Sequence, residues 1–216
     1  MSHRRLISGL KRTSREFAWA NSWCDVIEEY VNRLGAPNWP WGEHEYTDVG
    51  LMGLGAERLG WAWLVEARTW KRPRSDRRYK AAPGRVDLWM KDKVGRTYSV
   101  EAKVAWWNLT AYLDQRQSIR TALDKGQEAI NQVARENRSD RSFALAIVKP
   151  LVRAKRLMNA PRTHLTGQIE ELKSAVQDHR DLGAHFSISI VLDEAMWCTK
   201  WDDWPPMVAL VGRRLD

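Results

Sequence analysis

Apolar residues recur at helical spacing over residues 14–34. Phe17, Trp19, Ala20, Trp23, Cys24, Ile27, Tyr30, Val31 and Leu34 make one stripe. Ser14 stands where an N-cap belongs and Gly35 where a helix stops. A second helix is expected from about Val49 through Leu51, Leu54, Gly55, Arg58 and Leu59, with Asp48 as its cap. Residues 36–47, rich in Pro and Trp, read as a loop, and Glu43, His44 and Glu45 fall in it. The apolar stretch 61–70 fits either a longer helix or a strand. Its aromatics and the basic turn that follows favour a strand from about Leu64. Residues 85–90 and 97–104 alternate and flank a turn around Gly95, which predicts a hairpin. Residues 113–136 carry the clearest helical stripe, through Ile119, Leu123, Gly126, Ile130 and Val133. A buried strand over 142–148, ended by Pro150, comes next. A helix over 165–181 and strands over 185–192 and 207–211 complete the chain.

The expected order is α, α, β, β, β, α, β, α, β, β. A hairpin followed by a crossover helix implies an α/β class with a mixed central sheet flanked by helices. The 216 residues, 44% hydrophobic and 29% charged, suit one soluble globular domain. The longest apolar run, residues 143–148, is far short of the ~20 that cross a membrane. The basic N-terminus lacks the apolar core of a secretory signal. Cys24 and Cys198 form no CxxC pair, so neither a disulfide scaffold nor a structural zinc site is expected, and the compartment is read as reducing and cytoplasmic.

Charge changes the picture. Lys and Arg number 35 against 27 Asp and Glu, a net +8. Residues 1–15 hold no acid, and residues 68–80 hold one, Asp76, among many Lys and Arg. A basic excess of this kind suits a polyanion, most commonly nucleic acid, although solvated tails would give it too.

The chemistry gathers in the predicted hairpin. Strand residues alternate faces, so Val86 and Leu88 oppose Asp87, and Val100, Ala102 and Val104 oppose Glu101 and Lys103. The hairpin therefore brings Asp87, Glu101 and Lys103 onto one face. Two carboxylates and an ammonium are costly to bury unless something pairs them, and a hard divalent cation such as Mg²⁺ would do so. Such an ion polarises a phosphodiester and acidifies a bound water, while Lys103 orients that water or meets developing charge. The plain alternative is an exposed Asp87–Lys103 ion pair of about 0–1 kcal/mol.

Asp87…Glu101-Ala102-Lys103 resembles the catalytic signature of the PD-(D/E)XK nucleases, the restriction-endonuclease-like superfamily. The likeness covers roughly residues 48–150, with residues 1–47 a basic segment and helix before it and 151–216 completing the same domain. Val86, where many members have Pro, precedes Asp87. The resemblance implies a Mg²⁺-dependent nuclease acting on DNA, with Mn²⁺ able to substitute. It implies metal contacts from Asp87, Glu101 and the carbonyl of Ala102, with Lys103 acting on the attacking water. Family members carry a Glu on the preceding helix, here Glu57, with Glu66 the competitor, and some place a Gln or Lys on the following helix, here Gln127. Arg72, Arg74, Arg77, Arg78 and Lys80, with Arg85 beyond them, are the expected phosphate contacts, which position a strand without reading its sequence.

Other chemistry is not in evidence. No dinucleotide fingerprint, P-loop, HExxH or G-x-S-x-G is present. Of the 13 tryptophans, Trp106–Trp107 and Trp39–Trp41 are candidates for base stacking, against a general expectation of packing. Trp197, Trp201 and Trp204 would suit a homodimer interface. A non-catalytic nucleic-acid-binding module on the same fold and an unrelated α/β assembly protein remain the competing readings.

Overall fold

The computed structural model describes residues 3–34, 45–71, 82–109, 114–133, 137–151, 162–191 and 207–215. Seven strands form one mixed sheet flanked by four helices. They are β1 (Arg4–Ser8), β2 (Ala62–Lys71), β3 (Ala82–Lys91), β4 (Thr97–Asn108), β5 (Arg141–Leu151), β6 (Phe186–Val191) and β7 (Met207–Arg214). The helices are α1 (Arg15–Leu34), α2 (Glu45–Arg58), α3 (Arg116–Asn131) and α4 (Arg162–Gln177), with a 3-10 turn at His179–Leu182. The sheet order is β1-β6-β7-β5-β4-β3-β2. Every pairing is antiparallel except β4 with β5, which α3 connects. No described helix is long and apolar enough to cross a membrane.

The two faces of the sheet carry separate cores. On one, Leu88, Val100, Ala102, Leu145, Ile147 and Ile188 meet α1 and α2 through Trp23, Ile27, Val49 and Met52. On the other, Ala105, Trp107, Ala146 and Val148 meet α3 and α4 through Ile119, Leu123, Ile169 and Leu172. Strands β4 and β5 lie at the centre and bury both rows of side chains, so they read as apolar runs. Ser14 caps α1 as expected, its Oγ accepting the Phe17 amide at 3.1 Å. Trp19 Nε1 and Ser22 Oγ donate to Met52 and Gly55 carbonyls of α2, fixing the two helices together.

Several expectations are corrected. Strand β1 lies in the segment read as a basic tail. It pairs with β6, and its Arg5 reaches Glu28 of α1 at 2.5 Å and Asp25 at 2.7 Å. Strand β2 starts at Ala62, not Leu64. Pro150 does not end β5. The Leu151 carbonyl accepts from Leu109 on the β4 side, so Pro150, one residue earlier, turns its missing N–H to the β7 side, where pairing has stopped at Val148.

Asp48 is no cap. Helix α2 begins three residues earlier, at Glu45, and Asp48 faces inward. It meets Lys149 of β5 at 2.5 Å, with the two side chains only 4% and 1% exposed. Burial pushes the Asp48 carboxyl up to about 7 against the pull of Lys149. Asp48→Ala would strand the buried Lys149 ammonium and is expected to cost about 3–5 kcal/mol in urea unfolding. The double change Asp48→Leu with Lys149→Met is expected to recover most of that loss.

Candidate active site

The site begins where two strands part. Strand β3 pairs with β2 from Ala82 to Lys91, but with β4 only from Leu88 to Lys91, against Thr97–Val100. Beyond Leu88 it stays with β2 and leaves β4. The amide and carbonyl of Ala102, a fully buried residue, then face a side of β4 without a ladder partner. Buried backbone groups need partners. Asp87 Oδ2 accepts the Ala102 amide at 2.8 Å, and Lys103 Nζ donates to the Ala102 carbonyl at 2.6 Å.

Lys103 gathers three oxygens around its ammonium. Besides Ala102 O, Nζ donates to Asp87 Oδ2 at 3.1 Å and to Glu45 Oε1 at 2.9 Å. Burial would lower the Lys103 pKa, but the carboxylates of Asp87 and Glu45 outweigh it and hold it above its usual value. The Asp87 and Lys103 side chains are 17% and 30% exposed, which makes this a part-buried cluster rather than a solvated ion pair.

Glu101 is 3% exposed and close enough to feel Asp87. Burial first, and the Asp87 charge second, push its carboxyl up to about 7, while Lys71 and Lys103 pull it back. Lys71, the last residue of β2, donates to Glu101 Oε1 at 2.6 Å. Its side chain crosses β3 over Gly84, where a Cβ would sit 2.8 Å from Lys71 Cγ. From the other side α3 presses close at Gly126, whose missing Cβ would lie 3.1 Å from the Glu101 carbonyl oxygen.

A pocket of about 70 Å³ opens beside this cluster, lined by Glu45, Tyr46, Val49, Val65, Glu66 and Asp87. Glu66 falls between the Val65–Leu88 and Ala67–Val86 pairs, alongside Asp87. Its φ is 54°, a left-handed backbone that costs a glutamate about 1–2 kcal/mol, and its carboxylate meets Arg85 at 3.3 Å.

Four expected site residues, Asp87, Glu101, Ala102 and Lys103, come together. Glu57 does not. It sits at the far end of α2, twelve residues from Glu45 or about 18 Å of helix, and accepts from Trp63 Nε1 at 3.3 Å. Only the first turn of α2 faces the strand gap. Gln127 turns away from the cluster, and its Oε1 accepts from Arg213. Arg72, Arg74, Arg77, Arg78 and Lys80 lie outside the described residues, as do Trp39, Trp41, Trp197, Trp201 and Trp204. Trp107 is buried in the core, whereas Trp106 is 42% exposed, with Lys149 Nζ 5.7 Å from its ring centroid.

Glu45 and Lys71 were missed. Glu45 had a readable signal, because Glu45, Asp48, Val49, Met52 and Ala56 continue one helical stripe. Lys71 was hidden in a basic run, although it shares parity with the inward-facing Val65, Ala67 and Thr69 of β2.

Hard oxygen donors suit a divalent cation that takes one or two carboxylates and keeps waters, and Asp87, Glu45 and the Ala102 carbonyl are such a set around a single positive charge. Among the described residues no three His, Cys, Asp or Glu side chains form a cage alone. Comparison with family models, curated proteins and solved structures returns no match.

The Glu101 shift has a sign that can be tested. A carboxyl raised from 4.5 to about 7 on folding binds more protons in the folded state between those values. Its ionisation therefore removes stability as pH rises through that window. Glu101→Gln is expected to be more stable than wild type at pH 8, by on the order of 1–2 kcal/mol, and to lose the advantage at pH 4. Urea unfolding of both proteins across that range checks it.

Proposed function

We propose that this protein is a metal-dependent nuclease that hydrolyses phosphodiester bonds in DNA, built on the PD-(D/E)XK, restriction-endonuclease-like core. The observation that carries the reading is the convergence of Asp87, Glu45 and the Ala102 carbonyl on one ammonium, with Glu101 beside them. Strand order adds support: the Asp and the Glu-x-Lys lie on adjacent strands that part at the site, and a helix leads from the second strand to its parallel neighbour.

Under this reading Asp87, Glu101, the Ala102 carbonyl and Glu45, in the role expected of Glu57, would hold Mg²⁺ or Mn²⁺. A bound ion of that kind supplies polarisation of a phosphoryl oxygen and a more acidic water. The chain's own residues do the rest. Lys103, kept protonated by two carboxylates, turns its ammonium to the charge that builds on the phosphate oxygens. Lys71 favours the ionised form of Glu101, the form able to bind a cation. Asp87 fixes the Ala102 backbone, so its carbonyl stays aimed at the same point.

The test is cleavage of linear, circular and single-stranded DNA with Mg²⁺, with Mn²⁺ and with EDTA. Cutting is expected only with metal. Asp87→Ala and Lys103→Ala are expected to lower the rate about 10²- to 10³-fold while the far-UV spectrum stays near wild type. Each also strips a partner from the buried Ala102 backbone, so the melting temperature is expected to fall by several degrees with the protein still folded at the assay temperature. A calorimetric readout is independent of activity. Lys103→Met is expected to bind Mn²⁺ at least as tightly as wild type, because the competing ammonium is gone, whereas Asp87→Asn weakens binding. Wild-type activity retained in Lys103→Ala would sink the assignment. The internal pairing of Lys71 with Glu101 and of Lys103 with Asp87 also suits a non-catalytic nucleic-acid-binding module. Salt-sensitive DNA binding with no metal-dependent cutting would favour that reading.

A further inference from the structure

The β2–β3 ribbon carries a second feature. Residues opposite one another on antiparallel strands share a face, as do alternate residues along a strand. The pairs Leu64–Trp89, Arg68–Arg85 and Trp70–Pro83 therefore lie on one face of the ribbon. Glu66 and Asp87 fall in the same row, between the first pair and the second. The opposite row, with Val86, Leu88 and Met90, is buried. Much of the first row is open: Leu64 is 58% exposed, Trp70 48%, and Arg68 and Arg85 are also exposed, while Glu66, Asp87 and Trp89 are half-buried. Helix α3 packs on β4, β5 and β7, toward the middle of the sheet.

Large exposed apolar residues on an outer strand are an aggregation hazard unless something uses them. Two features identify the user. Arg68 and Arg85 lie directly across from each other and are exposed, whereas Glu66 and Asp87 of the same row are half-buried and Glu66 pairs with Arg85 at 3.3 Å. On a chain of net charge +8, the charge this face turns outward is mainly that of the two guanidiniums, which suits a polyanion. Indole rings stack on the flat faces of bases, which a duplex keeps covered and a single strand offers.

We propose that this face binds single-stranded DNA, with bases stacked on Trp70 and Trp89, phosphates held by Arg68 and Arg85, and the strand passing Asp87. The inference names the substrate class of the site and rests on the nuclease reading for the role of Asp87 alone.

The experiment is fluorescence anisotropy of a labelled 20-nucleotide DNA strand, alone and as its duplex, in EDTA so that nothing is cut. Wild type is expected to prefer the single strand. Trp70→Ala is expected to weaken single-strand binding roughly 5- to 150-fold with little change for the duplex, and Trp70→Phe to retain most of it. The double change Arg68→Ala with Arg85→Ala, at two exposed positions, is expected to flatten the salt dependence and serves if Trp70→Ala folds poorly. Equal affinity for single strand and duplex, unmoved by these changes, would overturn the inference. So would self-association of wild type lost in Trp70→Ala without any DNA binding, which would assign the face to a second copy. Cleavage with Mg²⁺ is measured in parallel. Single-strand binding without cutting keeps this inference and removes the nuclease reading, and cutting without single-strand preference does the reverse.

Discussion

The parting of β3 from β4 after the Leu88–Val100 pair is the constraint on which the site depends. A continuous ladder would satisfy the Ala102 amide and carbonyl and leave no room between the strands. Because the ladder stops, two buried backbone groups must find side-chain partners. Asp87 and Lys103 provide them, so the two residues are fixed by backbone need before any ligand is considered. The result is a carboxylate and a carbonyl that point at one place, held by the main chain of a central strand rather than by a loop. That is the rigidity a preorganised site requires.

Its electrostatics are balanced by neighbours rather than by solvent. Glu101 is almost wholly buried and in reach of another carboxylate, a combination that raises its pKa. Lys71 moderates this, and it can do so only because Gly84 lets its side chain cross the ribbon. Burial of these charges works against stability, since replacing buried ionic groups by apolar ones is often neutral or favourable. Asp48 stands in the same position, its carboxyl also pushed up to about 7 by burial against the pull of its own partner Lys149.

The sequence made legible whatever rested on periodicity. All ten expected elements are present in the expected order, because the central strands and the helical stripes bury residues at spacings of 2 and 3.6. Strand parity put Asp87, Glu101 and Lys103 on one side of their strands, but the ladder ends at Leu88–Val100, so it is Asp87 reaching the Ala102 amide and the Lys103 ammonium that brings them together. What failed depended on contacts distant in sequence. Strand β1 is five residues whose Arg5 looks solvent-seeking until Glu28 and Asp25 are beside it. Glu57 and Gln127 were assigned by the resemblance, as the Glu and the Gln of the flanking helices, but which end of a helix meets a sheet is decided by packing. Asp48 looked like a cap because a short carboxylate before an apolar run usually is one. Its partner Lys149 lies a hundred residues away on β5.

Helix α2 shows how that packing is decided. Its first turn carries Glu45 and Asp48, three residues apart and so on one side of the helix. Glu45 reaches Lys103 of β4 and Asp48 reaches Lys149 of β5, two neighbouring strands of the sheet. Acidic groups in a first turn also sit favourably against the positive end of the helix dipole. The N-terminus of α2 is thus tied to the sheet at two points, while its middle packs through Val49, Met52 and Ala56. Two ties on adjacent strands fix rotation as well as position. Glu45 therefore faces the gap between β3 and β4, and the far end of the helix, with Glu57, cannot.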